Sequence, residues 1–399
     1  MNSGPRRGEI LGMSDPRSTI PPLAPVRRVG VLCEFESLNG GEHSLLALVP
    51  ALRDRGWDPV VLAPSGGDLA RALVTHRIEH VEFRVGDDRE TAVERLGRLV
   101  DESRLHLLHA NSLSMCRLSG RLARQTGFPT TGHLRDIVNL STTALADINS
   151  NRLLLAVSHA TGKHHVAAGL DSERLRVVHN GIDVARFQQV CHDPQREPGW
   201  LKRELNITRN SCLVATIGQI GLRKALDVLA DAATMVADDI DYVIVGQRYS
   251  RKAESVEFET SVFETFARAA PTGCVHRLGT RDDVPELLAE IDVLVHPARQ
   301  EPLGRVLLEA AAAEVAILAT DVGGTREILE NDHSALLVEP DDPTALATGL
   351  DALTNDQALR ARLAATALEE VRSRFPIDAA ADGLVGAWQD ALSRSDCSI

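Results

Sequence analysis

The stretch Asp292–Leu329, DVLVHPARQEPLGRVLLEAAAAEVAILATDVGGTREIL, carries two glutamates, Glu301 and Glu309, eight positions apart. Asp292–His296 is a short apolar run of strand character. Pro297–Pro302 reads as a loop, and from about Gly304 the apolar positions Val306, Leu307 and Ala310 recur at helical spacing. Glu301 is therefore expected in the loop after a strand, and Glu309 just over one turn into the next helix. In an open α/β sheet, ligands bind at the carboxyl ends of the strands. Two carboxylates there can each accept hydrogen bonds from a different part of a polyhydroxylated ligand. Between them, Gly304 lets the backbone come close, and the N–H groups of a helix start suit an anion.

The run Glu301-Pro302-Leu303-Gly304-Arg305-Val306-Leu307-Leu308-Glu309, followed by the strand Ala316–Thr320 and Gly323-Gly324-x-x-Glu327, resembles the signature of the family 4 retaining glycosyltransferases. The resemblance implies a GT-B fold: α/β, with two Rossmann-like doubly wound domains facing across a cleft. The pattern of the chain points the same way without it. From Arg28, short β-branched runs (Val29–Cys33, Pro59–Ala63, Leu105–His109, Leu153–Val157, Leu175–His179) alternate with helical stretches (Glu42–Arg55, Glu90–Ser103, Ser112–Gln125). Such alternation implies a parallel sheet covered on both faces. Pro50 predicts a kink in the first of these helices.

The pattern lapses around Gln188–Gly199 and then restarts with strands at Cys212–Gly218, Asp241–Gly246, Cys274–Leu278, Asp292–His296, Ala316–Thr320 and Ala335–Val338. A helix is expected over Lys224–Ala237. The expected organisation is a disordered leader over 1–25, a first, acceptor-side domain over 26–190 and a linker over 191–199. A nucleotide-sugar domain over 200–375 and a helix over 376–399 crossing back to the first domain complete it. Met13 is a second candidate start.

At 399 residues, 44% hydrophobic and 25% charged, the composition is that of a globular protein with room for two cores. The net charge of −13 argues against a nucleic-acid partner or a strongly basic membrane-surface protein. The six cysteines are scattered with no C-x-x-C pair, which favours reduced thiols, a cytoplasmic setting and no zinc framework. The leader lacks the continuous apolar region of a signal peptide, and no stretch is long and apolar enough to span a bilayer.

Further matches lie in both halves. Ala215–Lys224 resembles the segment in which the family grips the donor diphosphate with an arginine and a lysine; Lys224 matches the lysine, whereas Gln219 stands in the arginine's place. Arg223 or Arg305 is the expected replacement cation. Gly40 and Gly41 match the family's glycine turn, with Glu42 following them directly. The strand-end segments around His109, His133 and Arg135 face the expected cleft, Arg135 standing where the family has a histidine near the sugar. Gly279-Thr280-Arg281 resembles the loop that cups the base. Asp283 and Glu286 read as a capping box, Ser158 as an N-cap and His179–Asp183 as a turn near the hinge. Asp239-Ile240-Asp241 is a poor metal motif, being at a helix-to-strand junction.

By resemblance, Glu309 accepts from the ribose hydroxyls, and Glu301 with the backbone near Gly304, Arg305 and Val306 positions the sugar. The implied partners are a nucleotide-diphospho-sugar and a glycosyl acceptor, with peripheral contact at the inner membrane face if that acceptor is a lipid. No cofactor or metal is expected. Two alternatives remain: a non-catalytic sugar-nucleotide-binding relative, and a sugar-nucleotide epimerase of the same fold.

Overall fold

The computed structural model describes residues 1, 26–86, 88–236, 239–269 and 274–394. The expected leader therefore lies outside the described residues apart from Met1, as do Ala237 and the last five residues. Among those described, the strands form two all-parallel sheets. The first contains β1 (Arg27–Leu32), β2 (Trp57–Ala63), β3 (Glu79–Glu82), β4 (Leu107–Ala110), β5 (Thr130–Leu134), β6 (Leu153–Ala156) and β7 (Leu175–Val177), in the order β3-β2-β1-β4-β5-β6-β7. The second contains β8 (Cys212–Ile217), β9 (Ile240–Val245), β10 (Val275–Gly279), β11 (Val293–His296), β12 (Ala316–Thr320) and β13 (Leu336–Val338), in the order β10-β9-β8-β11-β12-β13.

Both are doubly wound. The strand order reverses between β1 and β4 in one and between β8 and β11 in the other, which opens a crevice at the carboxyl ends of those strands. Runs such as LLLA in β6 and AILAT in β12 are buried along their whole length, as strands covered by helices on both faces must be. The edge strand β3, with sequence EHVE, escaped the pattern because it is half-exposed and has no apolar run. β5 was legible only by its end, since its buried residues are Thr, Thr, Gly, His and Leu.

Three expected boundaries shift. The helix Gly40–Asp54 starts two residues before the expected Glu42 and runs through Pro50. The helix Val184–Cys191, placed by sequence in the first domain, packs on the second: Val184 and Phe187 join its core, and the Gln188 amide donates to the Ala312 carbonyl at 2.8 Å. The expected helix from Lys224 is broken by Ala225, whose φ of 48° separates a 3₁₀ turn, Leu222–Lys224, from the helix Leu226–Ala233.

The chain crosses between the halves twice, and the crossings touch. Ile182 N–H donates to the Phe375 carbonyl at 2.9 Å, and Ile377 N–H donates back to Ile182 at 3.2 Å. From there the helix Ile377–Ser393 lies on the first domain, where Trp388 is fully buried with Val29, Leu52, Trp57 and Leu107. The Trp57 and Trp388 rings are 5.0 Å apart, and Arg55 is paired with Asp378 and Asp382. No helix among the described residues is long and apolar enough to cross a membrane.

Truncating Trp388 removes a fully buried aromatic whose site cannot collapse. Trp388→Ala is expected to cost about 3–5 kcal/mol, read as a lower urea midpoint at unchanged slope. An unchanged midpoint would show that the C-terminal helix does not stabilise the first domain.

Candidate functional site

The loop after β11 carries Glu301, which is buried. One oxygen, Oε2, accepts from Lys224 Nζ at 2.6 Å and from His296 Nε2 at 2.8 Å. Lys224 arrives from the turn after β8 and His296 from the last position of β11. Burial alone would raise the Glu301 pKa. The Lys224 ammonium and the His296 hydrogen bond outweigh it, holding the carboxyl well below the usual range. Burial, reinforced by Lys224, lowers the His296 pKa against the pull of Glu301, so a neutral ring donates through Nε2. The other carboxylate oxygen, Oε1, has no hydrogen-bond partner among the described residues.

Two glycines hold this loop. Gly323 has φ +53°, and a Cβ there would lie 2.0 Å from the Glu301 carbonyl, which accepts from Gly324 N–H at 2.9 Å. Gly304, at φ +98°, opens the helix Arg305–Ala312. On it Glu309 is buried, as expected one turn in, and accepts from Arg305 Nε at 2.7 Å; Arg305 Nη1 is buried without a partner. Val306 packs half-buried against the second core. Lys224, His296, Gly218, Gln219 and Ile220 line one pocket at the carboxyl ends of β8 and β11.

The remaining expected second-domain residues divide. Gln219 is exposed in that pocket. Arg223 points across to the first domain, with Nη1 3.6 Å from Asp136 Oδ1. Gly279, at φ +64°, ends β10 and its carbonyl accepts from Gly246 N–H, while Thr280 is exposed. The Arg281 guanidinium forks onto Asp283 at 2.8 and 2.6 Å and reaches Glu204 at 2.9 Å. Asp283 spends its carboxylate on that fork and makes no side-chain cap, so the capping box is absent. Asp241 is filled by Arg209, Ser211 and His276.

In the first domain, Asn39 caps the helix that Gly40 and Gly41 begin, and Glu42 Oε2 accepts from Asn39 N–H at 3.1 Å. Arg135 crosses in front of Gly41. It donates to Asn111 Oδ1 at 2.9 Å, Asn180 Oδ1 at 3.0 Å and His133 Nδ1 at 3.1 Å. Asn111 reaches Glu42 in turn at 3.4 Å. Burial raises the Glu42 pKa and lowers that of Arg135 to about 10, each opposed by the other's charge. His109 stands beside Trp388, with ring centroids 5.6 Å apart. It is buried behind this network, with Nδ1 accepting from Trp388 Nε1 at 3.3 Å and lying 2.8 Å from Thr131 Oγ1. Burial, with the Arg135 charge nearby, pushes its pKa down to about 3.

Sequence reading missed His296, Glu42, Asn111 and Asn180 as site residues. For His296 the available signal was its place at the end of an apolar strand, five residues before Glu301.

Residues 201–370 match the family model described as Glycosyl transferases group 1, and residues 38–186 match Glycosyltransferase Family 4. A D-inositol 3-phosphate glycosyltransferase of Salinispora tropica is 32% identical over 232 residues, 56% of this chain and 47% of that protein. An alpha-maltose-1-phosphate synthase of Mycolicibacterium smegmatis is 30% identical over 43% of this chain and 44% of its own length. The chain spans about half the length of these curated relatives. Among solved structures, HepE of Anabaena in complex with UDP-glucose superposes with a TM-score of 0.78 at 22% identity, covering 91% of this chain and 98% of its own. A glycosyltransferase of Rickettsia africae gives 0.78 at 17% identity, covering 92% and 99%. The fold is GT-B.

Lys224→Met strips Glu301 of its ammonium while leaving the carboxylate buried, and is expected to cost on the order of 3 kcal/mol at pH 7. Because the Glu301 pKa is depressed in the folded state, its contribution is complete above the normal carboxylate range and is lost as pH falls below it. The gap between wild type and variant should therefore narrow in acid, measured by urea unfolding from pH 7 down to pH 3. A gap independent of pH would mean that the pair contributes no linked stability.

Proposed function

We propose that this chain, which belongs to the family 4 glycosyltransferases, transfers a hexose or N-acetylhexosamine from a UDP- or GDP-sugar to an acceptor hydroxyl with retention and without a metal. The observation that carries this reading is the Lys224–Glu301 ion pair at 2.6 Å. It joins the two sequence motifs that the family devotes to diphosphate and sugar, at the carboxyl ends of β8 and β11.

Each role follows from charge and geometry. Breaking the bond between the anomeric carbon and the phosphate oxygen leaves a nucleoside diphosphate with added negative charge. Lys224 stabilises that charge best if it is fixed beforehand, and Glu301 with His296 fix it. The free oxygen of Glu301 accepts from a sugar hydroxyl, and Glu309, oriented by Arg305, accepts from the ribose. The transition state has oxocarbenium character. The acceptor oxygen bonds to the anomeric carbon on the face that the phosphate leaves, and its proton passes to the departing phosphate oxygen. Arg135, held by Asn111, Asn180 and His133, faces the acceptor from the first domain. The acceptor belongs to glycan, glycolipid or glycosylated-metabolite synthesis on the cytoplasmic side, at the membrane surface if it is a lipid.

One observation favours a second reading. Gln219 brings no charge and Arg223 lies toward Asp136, which leaves Lys224 short of its usual partner cation. A binding protein without turnover would retain nucleotide affinity and transfer nothing.

A thermal-shift panel of UDP, GDP and ADP with and without EDTA tests the donor site. A ligand at a hundred times its dissociation constant adds about 2.7 kcal/mol, and one nucleotide is expected to give a shift of several degrees that EDTA leaves intact. No shift with any of them would sink the transferase reading. Glu309→Ala removes acceptors for two hydroxyls and should weaken that nucleotide roughly tenfold to a hundredfold. Wild-type affinity in this variant would refute the ribose assignment.

A further inference from the structure

Where the domains meet, the carboxylate of Glu327 is inserted into the first domain. Its Oε1 accepts from Ala160 N–H at 2.8 Å, and its Oε2 accepts from His159 N–H and His179 Nε2, both at 2.8 Å. The rings of His159 and His179 stand edge to face with centroids 5.8 Å apart. One ligand atom from each of the three side chains lies within 4.8 Å of the others. The glycosyl-transfer chemistry uses none of them.

We propose that His159, His179 and Glu327 form a site for a divalent transition ion of the zinc type, and that the ion clamps the two domains together. The donor set of two imidazoles and one carboxylate is one that zinc accepts with a fourth position left to water. Zinc–ligand bonds of about 2.0–2.2 Å in a tetrahedron put donor atoms roughly 3.4 Å apart. The His179–Glu327 contact has to open by a few tenths of an ångström. The exposed His159 ring, which makes no side-chain hydrogen bond, turns inward to complete the set. His179 presents Nε2 once its proton sits on Nδ1, so the ion takes the place of the proton now between His179 and Glu327.

The opposing terms are smaller. The N-terminus of the helix His159–Ala167 disfavours a cation weakly. Arg374, which donates to the Glu327 carbonyl, is balanced by Glu370. Glu327 keeps its bond to Ala160 through the oxygen that the ion does not use. Two ligands belong to the first domain and the third to the second, so binding resists separation of the halves. A second cluster, of one imidazole and two carboxylates (Glu330, His333 and Glu370), lies within the second domain and provides an internal control.

The experiment is calorimetric titration of zinc chloride into the metal-stripped, untagged full chain. The expected result is one saturable equivalent, weakened at least tenfold in His159→Ala and in His179→Ala but retained in His333→Ala. His159→Ala removes an exposed ring and leaves the fold intact, so its loss of binding cannot be assigned to unfolding. Zinc should also raise the melting temperature of wild type but not of His159→Ala. Absence of saturable binding below 100 times the protein concentration, or binding unchanged in His159→Ala, overturns the proposal. So does binding lost in His333→Ala while His159→Ala retains it. Nucleotide affinity is measured separately, so failure here leaves the donor site untouched.

Discussion

A carboxylate buried without a countercharge would take up a proton, and Glu301 escapes that only because Lys224 and His296 meet on one of its oxygens. That requirement organises the surrounding backbone. Lys224 reaches Glu301 because Ala225 breaks the expected helix with a positive φ and turns the lysine back toward β11. The loop carrying Glu301 reaches Lys224 because Gly323 and Gly324 have no side chains to hold it away. A Cβ at either position would lie within 2.4 Å of a carbonyl oxygen of that loop. Gly323 and Gly324 therefore act on the carboxylate's position.

The same loop is tied to the other domain. Thr161 Oγ1 donates to the Pro302 carbonyl at 3.3 Å, one residue from Glu301, and Glu327 holds the first turn of the helix that carries Thr161. Movement of one half against the other is thus felt within two residues of the buried ion pair. The two chain crossings at Ile182 and Phe375–Ile377 hydrogen-bond to each other, so they can bend together as a single short strap. Arg135 depends on this strap as well, because Asn180, one of its three acceptors, lies two residues before Ile182.

How much of this was legible depends on whether a residue's role is local. The strands of the second domain, and Ala316–Thr320 to the residue, were readable because an apolar run buried on both faces has no other stable use. Glu301 and Glu309 were readable because a loop-then-helix pattern sets their separation. The partners of Arg281 were not legible, because a loop arginine looks free until Glu204, 77 positions away, is brought beside it. The burial of His109 was not legible, because a strand-end histidine gives no sign of which face it turns to, and Trp388, which covers it, is 279 residues distant. Asn111 and Asn180 carry no periodic signal, and only the arginine between them gives them a role. The helix Val184–Cys191 shows the same limit: its apolar face is evident, but not which of two cores receives it.

The proposed donor site is nearly self-neutralised. Lys224 is bound to Glu301, Arg305 to Glu309 and Arg223 approaches Asp136, so each cation near the pocket already faces a carboxylate. On the proposed reading, an incoming diphosphate does not fall into a field of free positive charge. It shares Lys224 with Glu301, and the sugar and ribose hydroxyls repay the two glutamates with hydrogen bonds as the phosphates draw on the cations. Such a site discriminates against inorganic anions, which bring charge without hydroxyls and would leave Glu301 and Glu309 buried with weakened partners. The pairing of a glutamate with each working cation then makes recognition of the diphosphate depend on the ribose hydroxyls that come with it, and the sugar hydroxyls strengthen it further.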